Sequence, residues 1–391
     1  MEPYILEWLN LLLRWLHIIT GIAWIGASFY FIWLDNSLEA PTKEGDLQCG
    51  VGGELWAVHG GGFYHAEKFR SRPPSIPERL HWFKWEAYWT WLSGFALLIV
   101  MYYVSADLHL IDKSVADLSK AAAIAIGVAF IAGGWIIYDL LCKSPLARNN
   151  NVLSGVLFVL LCVAAWGLTQ IFGGRGAYMH FGAMLGTIMV ANVAMVIMPS
   201  QRAMVRAAEA GQDPDPRFGI AGKQRSVHNT YFTLPVLFVM MSNHYAFTYG
   251  HRYNWALLIA LSIAGALIRV WFVDRHKGKQ SALTLVAAAL LLAAVFWAAM
   301  PRSPVASNAV DFKQVQTVIQ ARCQSCHAQT PTQAGIPSAP KGVLLETEAQ
   351  IRAQAALIAQ QSVTTRVMPP GNLTGMTEDE RALIASWAAN R

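Results

Sequence analysis

Long apolar stretches separated by short polar segments run through the first 300 residues of the chain. A helix needs about 20 apolar residues to cross the hydrocarbon core of a bilayer. Eight stretches approach or exceed that length, and they lie near residues 8–34, 84–104, 120–142, 151–172, 177–199, 229–249, 254–273 and 281–300. The pattern predicts an all-α fold whose first domain, residues 1–300, is an eight-helix transmembrane bundle.

The pattern changes after the last apolar stretch. Residues 301–309, PRSPVASNA, are rich in turn-forming residues and predict a linker. Beyond it, DFKQVQTVIQARC and TEDERALIASWAAN show the spacing of amphipathic helices. Thr377 and Glu380 have the spacing of a capping box at the start of the second helix. Residues 310–391 are therefore predicted to form a small soluble domain.

Composition supports a membrane protein. Apolar residues make up 54% of the chain and charged residues 14%, and the mean hydropathy is +0.35; soluble proteins have roughly a quarter charged residues. The net charge of +6 comes without any run of Lys and Arg, which excludes a nucleic-acid footprint. Membrane lipid is the expected surrounding, and nucleic acid is not an expected partner.

The basic residues orient the predicted helices. They concentrate in the segments 35–83, 143–150, 200–228 and 274–280, whereas the alternate loops hold few. Because basic loops stay in the cytoplasm, this pattern predicts a multi-pass protein of the bacterial inner membrane. An even number of crossings then places the N-terminus and the C-terminal domain on the periplasmic side.

Residues 323–327, CQSCH, match the attachment signature of a c-type haem. Cys323 and Cys326 would form thioethers with the porphyrin, and His327 would bind the iron. Met368, followed by two prolines, is the preferred sixth ligand, and Met376 is its rival. A zinc site or a redox dithiol is the alternative, but no further Cys or His follows His327. These features resemble the class I cytochrome c family over residues 310–391, and bacteria attach haem c on the periplasmic side.

Histidines inside predicted spans are candidates for function because polar groups there are costly. His17, His180 and His244 all fall in the outer half of the predicted bundle. A pair of them could hold the iron of a b-type haem, which makes haem b a second candidate cofactor. The alternative is that they form hydrogen bonds between helices.

A second group of candidates lies toward the cytoplasmic side. The segment around Gly60-Gly61-Gly62 combines glycines, aromatic rings and histidines, and another polar cluster starts the sixth predicted span. His59 and His228 are the candidate catalytic bases. The candidate substrate-binding residues are Trp56, Gly61, Tyr64, Glu86 and Asn229. An interfacial aromatic belt with glycine turns is the alternative interpretation.

The first 300 residues resemble the bacterial membrane-bound urate hydroxylase family, sometimes described as a urate oxidase N-terminal domain. The resemblance rests on the His17–Gly26 stretch, the loop at 59–64, LHWFKWEAYWTW, MVIMPSQR and HNTYFTLPVLFVMMSNHY. It implies oxidation of urate to 5-hydroxyisourate with water as the oxygen source. The fused cytochrome c domain would accept the electrons and pass them to a soluble cytochrome c or a terminal oxidase of the respiratory chain.

The resulting hypothesis is an oxidoreductase that binds urate near the cytoplasmic face, where His59 or His228 takes a proton as water adds to the ring. Two other classes stay open. One is a membrane cytochrome that only transfers electrons, from quinol or a partner dehydrogenase to haem c. The other is an oxidase acting on a porphyrinogen, suggested by the short H-x6-W-x-G pattern that starts at His17.

Overall fold

The computed structural model describes residues 2–300 and 310–389, so the predicted linker at 301–309 lies outside the described residues. The fold is mostly helical. The helices of the first 300 residues are Glu2–Ser37 (α1), Glu44–Gln48 (α2), Trp85–Leu98 (α3), Ala106–His109 (α4), Lys120–Lys143 (α5), Asn150–Thr169 (α6), Gly174–Asn192 (α7), Met198–Glu209 (α8), Pro216–Ser242 (α9), Ala246–Tyr249 (α10), Asn254–His276 (α11) and Leu283–Ala298 (α12). Short π-helical turns at Ile99–Tyr103 and Val193–Ile197 extend α3 and join α7 to α8.

Five helices of the described residues are long and apolar enough to cross a membrane. They are α1, α5, α6, the continuous α7–α8 segment and α11. The other three predicted stretches also form helices, but each differs from the expected span. The eight-span count therefore stays a prediction.

The reason differs for each of the three. The helix α3 carries many Trp and Tyr residues and begins beside Glu86, which lowers its mean hydropathy. The helix α9 begins at Pro216, well before the predicted residue 229, and its first half is polar. The helix α12 is apolar but has only 16 residues, which gives a length of about 24 Å at 1.5 Å per residue.

The prediction of an all-α fold is wrong in one place. Val51–His59 (β1) and Gly62–Phe69 (β2) form an antiparallel hairpin, with Trp56 opposite His65 and His59 opposite Gly62. Gly60 and Gly61 form its turn with positive φ values of 56° and 83°, a conformation that glycine adopts at little cost. Gly61, a candidate substrate-binding residue, thus lies in a tight chain reversal.

The helix α7 lies at the centre of the bundle. In the α7–α8 segment 61% of the apolar window is buried, against 6–28% in the other four spans. Its small residues allow close contacts with its neighbours, since a Cβ on Gly182 would lie 2.5 Å from Val239 of α9. By contrast, α1 and α12 expose large side chains such as Trp15, Ile22 and Trp297. Those outer faces are suited to contact with lipid.

Three of the four basic segments are joined by hydrogen bonds at one end of the bundle, and the fourth, 274–280, lies close to Tyr231 of α9. Asp35 accepts a hydrogen bond from Lys223, Ser71 donates one to Asp213, and Gln224 donates one to Asn150. We call this the basic end. The loops that hold α4 and α10 lie at the other end, where Arg175 bonds both His109 and Asn243. The structure thus groups the loops as the charge pattern does.

Residues 310–389 form a smaller helical unit. Its α-helices are Phe312–Arg322 (α13), Glu348–Ala353 (α14), Ala355–Ala359 (α15) and Glu378–Ala389 (α16). Both predicted amphipathic helices are confirmed, as α13 and α16. The predicted capping box is also confirmed: Glu380 N–H donates to Thr377, and Thr377 N–H donates to the Glu380 carboxylate. The unit has its own apolar core, which includes Ile319, Ile351 and Ile384.

This C-terminal unit packs on the end of the bundle opposite the basic end. A Cβ added to Gly371 would lie 2.4 Å from the Ile111 carbonyl oxygen, and one added to Gly250 would lie 1.8 Å from the Thr365 carbonyl oxygen. Backbone therefore meets backbone at the contact between the two units.

Candidate functional site

A buried polar cluster connects α5, α7 and α9 near the basic end. His228 Nδ1 and the Tyr138 hydroxyl share a hydrogen bond of 2.7 Å. The Asn192 amide donates to the Tyr138 oxygen at 3.1 Å and to Asn229 Oδ1 at 2.8 Å. Asn229 in turn donates to the Met189 carbonyl. Unpaired polar groups in an apolar interior are costly, so these mutual bonds hold three helices together at one level.

A buried ion pair completes the polar cluster. Arg225 is 3% exposed and donates to Asp139 at 2.8 Å, while its guanidinium lies 4.9 Å from the centre of the Tyr138 ring. Asp139 also accepts from Lys143, one turn further along α5. The cluster thus combines a fixed cation, a carboxylate and an imidazole in a place with little water. That combination suits proton transfer to or from a bound ligand.

The hairpin places the other candidate base far from these groups. His59 lies at the exposed tip of the hairpin, beside Gly61, and no hydrogen bond or ring contact joins it to the described part of the polar cluster. Trp56 and Tyr64 are 60% and 58% exposed. The Trp56 ring stacks on His65 with 4.2 Å between centroids, and His65 bonds Glu54 at 2.7 Å. The structure does not bring His59, Trp56, Gly61 or Tyr64 together with His228 and Asn229.

Glu86 occupies the first turn of α3. Its Oε2 atom is buried and has no hydrogen-bond partner within the described residues. No hydrogen bond or ion pair among the described residues joins the Glu86 side chain to the polar cluster, but an unpaired buried carboxylate oxygen needs an explanation of its own. Glu86 therefore keeps its place as a candidate binding group at a separate position.

The three histidines considered for haem b have different surroundings. His180 is fully buried, and both of its ring nitrogens are engaged, by the Gly176 carbonyl at 2.8 Å and the Tyr103 hydroxyl at 3.2 Å. His17 bonds the Thr90 carbonyl on α3 at 2.9 Å. His244 is exposed in the turn after α9. The His17–Thr90 and His180–Tyr103 contacts are interhelical hydrogen bonds of the kind that the alternative interpretation expects, whereas the His180–Gly176 bond lies within α7. A b-type haem held by a pair of these histidines stays a prediction.

The C-terminal unit contains an apolar cavity that brings the predicted haem-binding residues together. Cys323, Cys326, His327 and Met368 all line it, together with leucine, isoleucine and proline side chains. His327 Nδ1 donates to the Val343 carbonyl at 3.0 Å, which leaves Nε2 as the nitrogen for a metal. The residues therefore fit a haem c in both chemistry and placement.

The rival methionine is distinguished by its packing. Met376 also lines the cavity, but it is 3% exposed and belongs to the apolar core of the C-terminal unit. Met368 is only half-buried, and its backbone is held at both ends: its N–H donates to Gln361, and its carbonyl accepts from Arg381 at 3.0 Å. An anchored segment with a less buried side chain would make Met368, rather than Met376, the methionine available to bind the iron of a haem.

A second polar group lies directly under this cavity, at the contact between the two units. Leu108 of α4 lines the cavity, and its neighbour His109 bonds Arg175 at 3.3 Å. Arg175 and Tyr102 both donate to Asn243 Oδ1, at 2.9 Å and 2.8 Å. Burial, and then the positive charge of Arg175, lower the pKa of His109 to about 4. His109 is therefore a neutral imidazole at physiological pH.

Sequence reasoning identified His228 and Asn229 but missed four partners: Tyr138, Asp139, Asn192 and Arg225. A usable signal was present, because Tyr138-Asp139 and Asn192 interrupt otherwise apolar stretches, and ionisable groups in such stretches are functional candidates by default. The sequence could not show which of these residues pair with each other. Arg225 and Asp139 are 86 residues apart, and only the packing of α5 against α7 and α9 brings them together.

A family model described as "Urate oxidase N-terminal" matches residues 3–300, which is most of the chain and includes the whole helical bundle. No curated protein and no solved structure matches the chain.

Proposed function

The chain belongs to the urate oxidase N-terminal family, and from this membership we propose that it is a membrane-bound urate hydroxylase. The reaction is urate plus water giving 5-hydroxyisourate, two protons and two electrons. Such a reaction requires a proton acceptor beside the substrate and a route by which electrons leave. The observation that carries the proposal is the family match over a bundle that holds a half-buried imidazole in a polar cluster, fused to a unit in which Cys323, Cys326, His327 and Met368 line one cavity.

His228 is the proposed proton acceptor. When its Nδ1 donates to the Tyr138 oxygen, Nε2 is left free to accept a proton from the water that adds to the ring. Tyr138 then orients the imidazole and stabilises its protonated form. Asn192 fixes Tyr138 by donating to the same oxygen. His59 is the weaker candidate because its position at the hairpin tip leaves it in solvent.

The C-terminal unit is the proposed electron acceptor. Cys323 and Cys326 would hold a haem c through thioethers, with His327 and Met368 as iron ligands. Bound there, haem c accepts one electron at a time. Each turnover therefore reduces two haems or one haem twice, and a respiratory-chain acceptor removes the electrons. The positive-inside pattern favours an inner-membrane location with this unit in the periplasm.

The test is to add urate to the purified protein without oxygen and to record the haem c absorption bands together with the loss of urate. We expect urate alone to reduce the haem, with half a molecule of urate consumed for each haem reduced. A C323S/C326S double variant should lack covalent haem on a denaturing gel and should not oxidise urate. Reduction by a quinol but not by urate would overturn the enzyme assignment and would favour an electron-transfer subunit.

A further inference from the structure

Arg269 is a buried cation without a counter-charge. It lies on α11 and is 3% exposed. Its Nε and Nη2 atoms have no hydrogen-bond partner, and no Asp or Glu in residues 2–300 or 310–389 forms a salt bridge with it. The contrast is Arg225, the buried arginine of the polar cluster, which is paired with Asp139 at 2.8 Å.

An unpaired guanidinium in this place requires a physical explanation. Arginine does not lose its proton in proteins, so neutralisation is not available to it. A buried charge that is left unpaired is strongly unfavourable, because its lost hydration is not replaced. The two unpaired atoms also share one edge of the guanidinium, which is the edge that binds two adjacent acceptor atoms of a planar anion in parallel. The arrangement thus favours an anionic ligand with that geometry.

The surroundings of Arg269 are suited to a flat molecule. Phe29 of α1 covers one face of the guanidinium at 3.7 Å from its ring centre. Tyr231 of α9 lies close enough to interact with the Arg269 charge. Pro235 follows four residues later inside α9, and because proline has no N–H, the Tyr231 carbonyl lacks its helical donor. Two aromatic rings and a pair of donor atoms therefore adjoin where α1, α9 and α11 come together, and the Tyr231 carbonyl on the same stretch of α9 is an acceptor without its helical donor.

Two more polar atoms without a hydrogen-bond partner within the described residues lie on the same face of α11 as Arg269. Ser262 Oγ and His276 Nδ1 are buried and have no hydrogen-bond partner within the described residues. Ser262, Arg269 and His276 are seven residues apart, which puts them on one face of the helix. His276 is the last residue of α11, at the basic end. This face of α11 thus carries polar side chains from the basic end of the bundle to Arg269 and beyond it.

We propose that Arg269 binds the substrate anion, as a planar oxopurine whose two adjacent acceptor atoms face Nε and Nη2. The identity of the anion rests on the proposed function, whereas the presence of an anion site rests on Arg269 itself. Tyr231 and His228 are one turn apart on α9, so the anion site adjoins the proposed proton acceptor along the same helix.

The test measures binding without turnover. The full-length protein is purified, its haem is reduced with dithionite, and equilibrium binding of radiolabelled urate is recorded for the wild type, R269Q, R269K and R148Q. Arg148 is exposed on the turn after α5 and serves as the matched control. We expect R269Q to raise Kd by at least about tenfold, because the loss of a charged hydrogen-bonding pair exceeds the 1.4 kcal/mol that tenfold represents. R269K keeps the positive charge but loses the pair of adjacent donors. Its Kd for urate should therefore lie between those of the wild type and R269Q.

The outcomes separate this inference from the proposed function. Equal urate affinity in R269Q and the wild type, with both eluting as folded protein, would overturn the inference and leave the function untouched. Binding that depends on Arg269 without any oxidation of urate would overturn the function and support the anion site. If the wild type does not bind urate, the melting temperatures of the wild type, R148Q and R269Q in sodium sulfate test for the anion site instead. Stabilisation of the wild type and R148Q but not of R269Q supports an anion site, and equal stabilisation of all three removes it.

Discussion

Individual polar residues show how this bundle keeps buried groups satisfied. Tyr138, Asn192, His228 and Asn229 bond each other, so each finds a partner on another helix. His180 also uses both ring nitrogens, one with the Tyr103 hydroxyl and one with the Gly176 carbonyl of its own helix. Against this background the unpartnered atoms of Arg269 and Glu86 stand apart. Groups that are fully bonded within the protein are structural or positioning groups, and groups with free bonding capacity are the places where a ligand is expected.

The first prediction compares His228 and His59 as proton acceptors. H228Q should lower urate turnover roughly 10²- to 10⁴-fold, the usual effect of removing a general base, because glutamine cannot take up the proton. H59Q should leave turnover within about twofold, since His59 lies at the exposed hairpin tip. Steady-state urate oxidation by membranes with equal amounts of each variant provides the measurement. Loss of activity in H59Q with H228Q unaffected would reverse the assignment.

Among the individual secondary-structure elements, the β1–β2 hairpin depends on one carboxylate. The hairpin is held at its base by Glu54, which accepts hydrogen bonds from Thr42 N–H at 2.9 Å and from His65 at 2.7 Å. These bonds lower the pKa of Glu54 below its ordinary value of 4.5. A carboxyl with a lowered pKa on folding contributes stability above its ordinary pKa, and this stability is lost as the pH falls through the folded value.

The second prediction follows from the lowered pKa of Glu54. Protease cleavage within residues 51–69 should increase as the pH falls below about 4.5, the ordinary value for Glu54. In E54Q the hairpin should be cleaved faster at neutral pH and should lose most of this pH dependence. E39Q is the control, because the Glu39 side chain is exposed and only its backbone pairs with Glu54. Cleavage is followed by mass spectrometry with an acid-tolerant protease. An unchanged pH profile in E54Q would contradict the assignment.

The third prediction concerns the packing of α5 on α7. A Cβ at Gly127 would lie 2.5 Å from His180 Nε2, whereas one at Gly133 meets nothing within 4 Å. G127A should destabilise the bundle by about 1–3 kcal/mol, the usual range for overpacking. G133A, on the same helix, should be neutral or stabilising by up to about 1 kcal/mol, because alanine favours the helix over glycine. Thermal unfolding in detergent compares the two, and equal melting temperatures would show that His180 can move away.

The whole molecule combines two units whose contact determines how electrons would pass between them. Leu108 of the bundle lines the cavity of the C-terminal unit, and the polar group of Tyr102, His109, Arg175 and Asn243 lies next to it. The cavity is thus closed partly by the bundle. Under the proposed function, the relative position of the two units would determine both the surroundings of the haem and the distance that electrons travel.

The fourth prediction tests this contact. In G250A the new Cβ would lie 1.8 Å from the Thr365 carbonyl oxygen, and backbone cannot move aside as a flexible side chain can. We expect urate-driven haem reduction to slow by at least about tenfold, while covalent haem content stays unchanged. G219A, where a Cβ meets nothing within 4 Å, is the control. Normal haem reduction in G250A would show that this contact is dispensable.

The sequence by itself determined the apolar helices, the two amphipathic helices of the C-terminal unit, the capping box and the CQSCH motif. These features depend on neighbours within a few residues, where periodicity and local hydrogen bonding decide the conformation. It also indicated which loops share one end of the bundle, because charge distribution records that directly.

Only the tertiary structure decided which polar residues meet. The hairpin was missed because Gly60 and Gly61 fit a binding loop and a tight turn equally well, and strand pairing between β1 and β2 distinguishes them. The partners of His228 lie on α5 and α7, and the unpaired state of Arg269 became visible only once all its neighbours were known. Burial and pairing are properties of contacts between distant segments. No local pattern contains them.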